Sequence, residues 1–112
     1  MNIINFNLKV NAHFNEHYIL VKESCENLKE DIVKASEIMC ETLLKEGTIF
    51  WIGNGGSCAD AQHLAAEFVG KFKNPRKALN SVSLTADTSV LTCIANDYSY
   101  TEIFSRQIEG IA

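Results

Sequence analysis

With 112 residues the chain has room for one domain and one core, and a hydrophobic content of 46% excludes intrinsic disorder. A net charge of -4 and a pI near 5.3, with no Lys/Arg stripe, argue against non-specific binding to nucleic acid or anionic lipid. No run approaches the roughly 18 apolar residues a membrane span needs, and the asparagine-studded start MNIINFNLKVNAHF has neither the basic nor the apolar region of a signal peptide. Cys25, Cys40, Cys58 and Cys93 show no CxxC spacing, which excludes a zinc finger and suits reduced thiols in a cytoplasmic protein.

Val10, Phe14, Tyr18 and Val21 recur at helical intervals and predict a first amphipathic helix within residues 4–22. The segment ENLKEDIVKASEIMCETLLKEG predicts a second, with Leu28, Ile32, Ala35, Met39 and Leu43 three or four apart and Gly47 at the C′ position, where a left-handed backbone is needed. TIFWI, residues 48–52, is β-branched and aromatic without alternation, as in a strand buried on both faces of a parallel sheet, and SVSLT, 81–85, reads as a second strand. Between them a helix runs from about Cys58 to Phe72. Ser57, with Asp60 three residues on, resembles a capping box that would start it. A helix from about Thr88 to Ala95, a turn at NDYS and a last helix from Tyr100 follow.

The order α-α-β-α-β-α-α predicts an α/β domain with a parallel sheet. Two strands are few for such a sheet. Residues 1–112 therefore read as a single incomplete domain, with helices over 1–46 and the first half of the α/β core over 47–112, the rest of the sheet lying beyond this chain.

The junction IGNGGSCADAQHLAAEF takes three of the six glycines, Gly53, Gly55 and Gly56, just where a strand feeds a helix. Such a turn lets backbone approach a ligand, and the helix offers unpaired N–H groups. It matches neither the Rossmann nor the P-loop pattern, so a polar-ligand site and a merely tight turn both stand. On the helix, Ala61, Leu64, Ala65, Phe68 and Phe72 fall on one side, toward the sheet, and Asp60, His63, Glu67 and Lys71 form a neighbouring polar ridge. His63 and Glu67, four apart, could share a zinc ion, or be a surface pair beside a Glu67–Lys71 ion pair. Cys58 and Trp51 read as packing residues, and His13 and His17 as surface histidines. Asn96 and Asp97 favour a helix end.

GNGGSCADAQHLAAEFVGKF together with SLTADTSVLTCIANDYSYTEIFSRQIE resembles the phosphoheptose isomerases of the sugar isomerase (SIS) domain family, over most of the chain from about residue 45. The resemblance implies a three-layer α/β/α fold behind N-terminal helices. It also implies interconversion of a phosphorylated seven-carbon ketose and aldose through an enediol in bacterial surface heptose synthesis. It puts substrate contacts on Asn54, Gly55, Gly56, Ser57, Glu67, Asn96 and Asp97, zinc ligands on His63 and Glu67, and the catalytic base on Glu67. It further implies a cytoplasmic homotetramer. The alternative within the family is a non-catalytic binder of phosphosugars or of a replication initiator, which has no need of the Glu67 carboxylate. The family's serine/threonine-rich phosphate loop and its later glutamine and histidine have no counterpart here. The 112 residues alone are thus expected to be inactive. KNPRKALNS replaces a more proline-rich link, where Lys71 and Arg76 are the candidate basic contacts.

Overall fold

The structure, a computed structural model, describes residues 5–112; position 4, where the first helix was expected to open, lies outside them. The chain divides into two compact units, up to Ile38 and from Met39.

The two expected N-terminal helices are one. α1 runs from Phe6 to Leu44 without interruption. No glycine or proline occurs in that stretch to break it. The apolar rhythm also keeps phase across the supposed gap, because Val21 and Leu28 are seven residues, about two turns, apart. From Phe6 on, the first unit consists of this helix, which continues into the second, and Val10, Phe14, Tyr18, Val21, Leu28 and Ile32 along its stripe are exposed.

The end of α1 also differs from expectation. Glu46, not Gly47, takes the left-handed conformation, with φ of 61°. The Glu46 N–H donates to the Leu43 carbonyl at 3.1 Å and the Gly47 N–H to the Thr42 carbonyl at 2.8 Å, a Schellman closure with Gly47 one place further out. Gly47 is needed there for space, since a Cβ would lie 2.8 Å from Thr42 Cγ2 and 3.0 Å from its carbonyl oxygen. A side chain at φ above zero costs about 1 kcal/mol. Glu46→Gly should therefore raise the denaturant midpoint by an equivalent amount, a gain read directly from urea unfolding curves.

In the second unit, β1 (Ile49–Trp51) and β2 (Ser81–Ser83) pair in parallel, with Ile49 opposite Ser81 and Trp51 opposite Ser83. The helix α2 (Gly56–Val69) makes the crossover and packs on both strands. α3 (Thr88–Asp97), a 3₁₀ turn (Tyr100–Glu102) and α4 (Ser105–Ile111) follow. Ala61 and Ala65 of α2, Leu84 after β2, Ile94 of α3 and Ile103 form the buried core. Small residues on α2 allow the helix to sit close to the strands.

β1 is half-buried rather than buried on both faces, with α2 and β2 as its main cover among the described residues. Trp51 packs on Phe68 with ring centroids 5.6 Å apart and donates its indole N–H to Ser81 Oγ at 2.8 Å. Of the expected sheet-facing stripe on α2, Leu64 stays exposed and Phe72 lies beyond the helix, which stops at Val69. Arg76 closes that end: its guanidinium donates to the carbonyls of Glu67 at 2.8 Å and Phe68 at 2.7 Å. A cation that satisfies the last carbonyls of a helix is a structural cap, which gives Arg76 a role other than the ligand contact considered for it. Among the described residues no helix is long and apolar enough to cross a membrane.

Candidate functional site

Each glycine between β1 and α2 answers a different demand. A Cβ on Gly53 would meet Ser57 backbone at 2.4 Å, so this position has no room for a side chain. Gly55 has φ of 57°, the left-handed region that disfavours side chains. Gly56 has nothing within 4 Å of where a Cβ would stand, so main chain is laid bare on that side. α2 opens at Gly56 with Gly55 as its cap residue and no side-chain cap, contrary to the Ser57–Asp60 box. Main chain closes its first turn instead: the Ser57 N–H donates to the Asn54 carbonyl and the Cys58 N–H to the Gly55 carbonyl, each at 3.1 Å. The positive end of the helix dipole still faces the junction.

Gly53, Asn54, Gly55 and Cys58 line one side of a hollow of about 130 Å³; Thr85, Leu91, Tyr100, Ile103 and Phe104 line the other. The floor is fixed by polar contacts. Thr85, buried, donates its hydroxyl to the Cys58 carbonyl at 3.1 Å, and Gln62 Nε2 donates to Thr85 Oγ1 at 3.3 Å. Gln107 Nε2 donates to the Leu84 carbonyl at 3.0 Å, tying α4 to the end of β2. At the mouth the Tyr100 hydroxyl donates to Asn54 Oδ1 at 2.8 Å. Nothing in the sequence pattern singles out Tyr100, because the contact joins residues 46 apart.

His63 and Glu67 face each other one turn apart on α2, with Nε2 and Oε1 separated by 3.6 Å. The imidazole is 74% exposed and the carboxylate 29%. Both lie outside the lining of the hollow, as do Gly56 and Ser57. Glu67 pairs with His63, and Lys71 falls past the end of α2, where the helical spacing to Glu67 no longer holds. Two such donors are half of a tetrahedral zinc set, and no group of three or more His, Cys, Asp or Glu side chains able to hold a metal occurs among the described residues. These residues by themselves do not make a zinc site.

Asn96 and Asp97, expected in a turn, form the last turn of α3. Asn96 Nδ2 donates to Asp97 Oδ1 at 2.8 Å, and the Cys93 thiol to Asp97 Oδ2 at 3.4 Å. Those donors hold the Asp97 carboxyl below its ordinary range, and the same hydrogen bond and charge push the Cys93 thiol up. Neither Asn96 nor Asp97 lines the hollow. All four cysteines are free.

Chemically, the strand-to-helix junction offers bare backbone, a side-chain amide and a helix N-terminus to a polyhydroxylated or anionic ligand. One turn further along, the same helix presents a half-buried carboxylate beside an imidazole. The SIS domain matches residues 13–111. The chain is 51% identical over 102 residues to a phosphoheptose isomerase of Campylobacter jejuni, covering 91% of this chain and 54% of that protein. It is 46% identical to one of Helicobacter pylori, covering 91% and 53%. Among solved structures, a phosphoheptose isomerase from Neisseria gonorrhoeae superposes with a TM-score of 0.87 at 42% identity, over 96% of this chain and 55% of that one. One from Francisella tularensis gives 0.90 at 27%, over 97% and 57%. The chain spans about half the length of the curated relatives it matches. Its parallel sheet, its crossover helix and the match along nearly its whole length lead to one assignment: the chain belongs to the SIS domain family.

Proposed function

We propose that these residues are part of a phosphoheptose isomerase, which interconverts sedoheptulose 7-phosphate and D-glycero-D-manno-heptose 7-phosphate and supplies bacterial surface heptose synthesis from the cytoplasm. The observation that supports this most is the 51% identity to the Campylobacter jejuni enzyme over 91% of the chain, a span that includes the glycine turn and the His63–Glu67 pair.

The reaction moves a proton between C1 and C2 of the sugar. A base removes it from the carbon next to the carbonyl, an enediol forms, and the proton returns to the neighbouring carbon. Glu67 is the base: it is the half-buried carboxylate on the helix the turn opens, and its hydrogen-bond reach is set by a rigid helix rather than a loop. Asn54, the main chain at Gly55 and Gly56, and Ser57 hold sugar hydroxyls, with Asn96 and Asp97 as the second contact pair. Preorganised donors of this kind also favour the charge that develops on the enediol oxygens.

Zinc ligation by His63 and Glu67 would require further donors from outside the described residues. When bound, the metal would polarise the sugar oxygens. The exposed apolar stripe of α1 supports assembly of several subunits, a homotetramer in this reading, through helix packing.

The test is turnover of sedoheptulose 7-phosphate by the full-length protein in D₂O, followed by NMR. The enediol route places solvent deuterium at C2 of the aldose. The 112-residue chain alone should be inactive. A full-length protein that binds the sugar phosphate without converting it would overturn the reading.

A further inference from the structure

Asn54 and Tyr100 close the mouth of the hollow from opposite sides, and their side chains meet in a 2.8 Å hydrogen bond in which the phenol donates to the amide oxygen. A side-chain amide has two faces, an acceptor oxygen and a donor NH₂. With the oxygen engaged by Tyr100, the amide is held against rotation, with its NH₂ group turned away from the phenol and left to donate to a ligand. We propose that Tyr100 is a positioning residue: it fixes the Asn54 amide so that the NH₂ group donates to an oxygen of the sugar. This rests on the isomerase reading and on Asn54 as a sugar contact.

The tyrosine is well placed for such a role. It opens the 3₁₀ turn Tyr100–Glu102, whose bonds from Glu102 N–H to the Ser99 carbonyl (3.1 Å) and from Ile103 N–H to the Tyr100 carbonyl (3.4 Å) set the ring's origin. Ile103 directly after it is buried in the core, so the turn cannot drift without unpacking. Asn54, by contrast, sits in the exposed loop between β1 and α2, where its amide would otherwise rotate freely. The immobile element therefore orients the mobile one. A second consequence concerns selectivity. An amide NH₂ held in this way donates to a hydroxyl or carbonyl oxygen and gains nothing from a deoxy analogue, so the contact selects for an oxygenated carbon at that point of the sugar chain.

The experiment is a double-mutant cycle in the full-length protein, with Tyr100→Phe, Asn54→Ala and both together, reading KM and kcat for sedoheptulose 7-phosphate. Tyr100→Phe removes only the hydroxyl. It should raise KM about tenfold, the size of one lost ligand hydrogen bond, with the change falling mainly on KM. In the Asn54→Ala background the same substitution should change KM less than twofold, because there is no amide left to orient. Thermal midpoints of the single variants within a few degrees of wild type keep a folding defect from imitating the effect. An unchanged KM in Tyr100→Phe, or an equal rise in both backgrounds, would overturn the role of Tyr100. A wild-type protein with no isomerase activity would instead overturn the functional reading, so the two failures are distinct.

Discussion

Replacing Gly53 by alanine should unfold the junction between β1 and α2 and cost about 3 kcal/mol, while the same change at Gly56 should cost almost nothing. The ranking follows from what each Cβ would meet. At Gly53 the clash is with the Ser57 carbonyl oxygen at 2.4 Å, its carbon at 2.6 Å and its Cβ at 2.7 Å. Two of these are main-chain atoms of the first turn of α2, which cannot swing aside as a flexible side chain could. Relief would require the helix start to shift off the strands, with the loss of packing around Ala61 and Ala65. At Gly55 there is space, but φ of 57° makes alanine strained by about 1 kcal/mol. At Gly56 neither penalty applies, and alanine is a better helix former than glycine. Urea midpoints for the three variants should fall in the order Gly53→Ala far below Gly55→Ala, and Gly55→Ala below Gly56→Ala. If Gly53→Ala proves as stable as Gly56→Ala, the close approach of Ser57 backbone to Gly53 is not a feature of the folded protein. The same series separates stability from binding. Gly56→Ala should leave the fold intact and still weaken sugar binding, because it adds a methyl group where main chain is bare.

The second large effect concerns chemistry. Glu67→Gln should lower kcat for sedoheptulose 7-phosphate isomerisation by a factor of about 10² to 10⁴, the usual contribution of a positioned general base. Glutamine keeps the volume and a hydrogen-bonding oxygen within reach of His63, so α2 and its Arg76 cap, which uses the Glu67 backbone carbonyl, should be undisturbed. What is lost is the ability to hold a proton between C1 and C2. Wash-in of solvent deuterium into the substrate should fall in parallel with turnover, because both need the proton to leave carbon. Sugar phosphate binding, followed by calorimetry, should survive. Zinc content should be measured on the same samples, since Glu67 is also a proposed ligand. A variant that keeps more than a tenth of the wild-type rate would remove Glu67 from the role of base and leave it as a contact only.

Much of the second unit could be read from residue types, and the reasons for the errors are physical. TIFWI and SVSLT give themselves away by β-branched and aromatic content, and both pair as strands, though each is shorter in the structure than in the reading. The helix after the glycines follows from its spacing. Its exact start does not, because Ser57 has the chemistry of a cap while Gly55 has the backbone for it, and here backbone geometry prevails. Likewise Gly47 has the residue type of a left-handed cap, yet the close approach of Thr42 claims it and leaves Glu46 in the strained place. The single long helix was legible in principle: the apolar stripe keeps its phase, and nothing between Phe6 and Leu44 breaks it. The hollow was legible on one side only. Its Gly53–Cys58 wall is a local motif. Its Tyr100–Phe104 wall arrives from 46 residues away by the path of α3, and no periodicity encodes that meeting. His63 and Glu67 were placed correctly on one helix ridge. They do not line the hollow, whose wall on this side is Gly53, Asn54, Gly55 and Cys58.

Trp51, the single tryptophan, is wedged between Phe68 and the Ser81 hydroxyl at the point where both strands and α2 converge. Indole emission therefore reports on the packing of the α/β unit. Far-ultraviolet dichroism instead sums over every helix, the 39-residue α1 included. Recorded together during denaturation, the two signals set the packing around Trp51 against the helical backbone as a whole. A gap between their midpoints would show that melting is not a single all-or-none step.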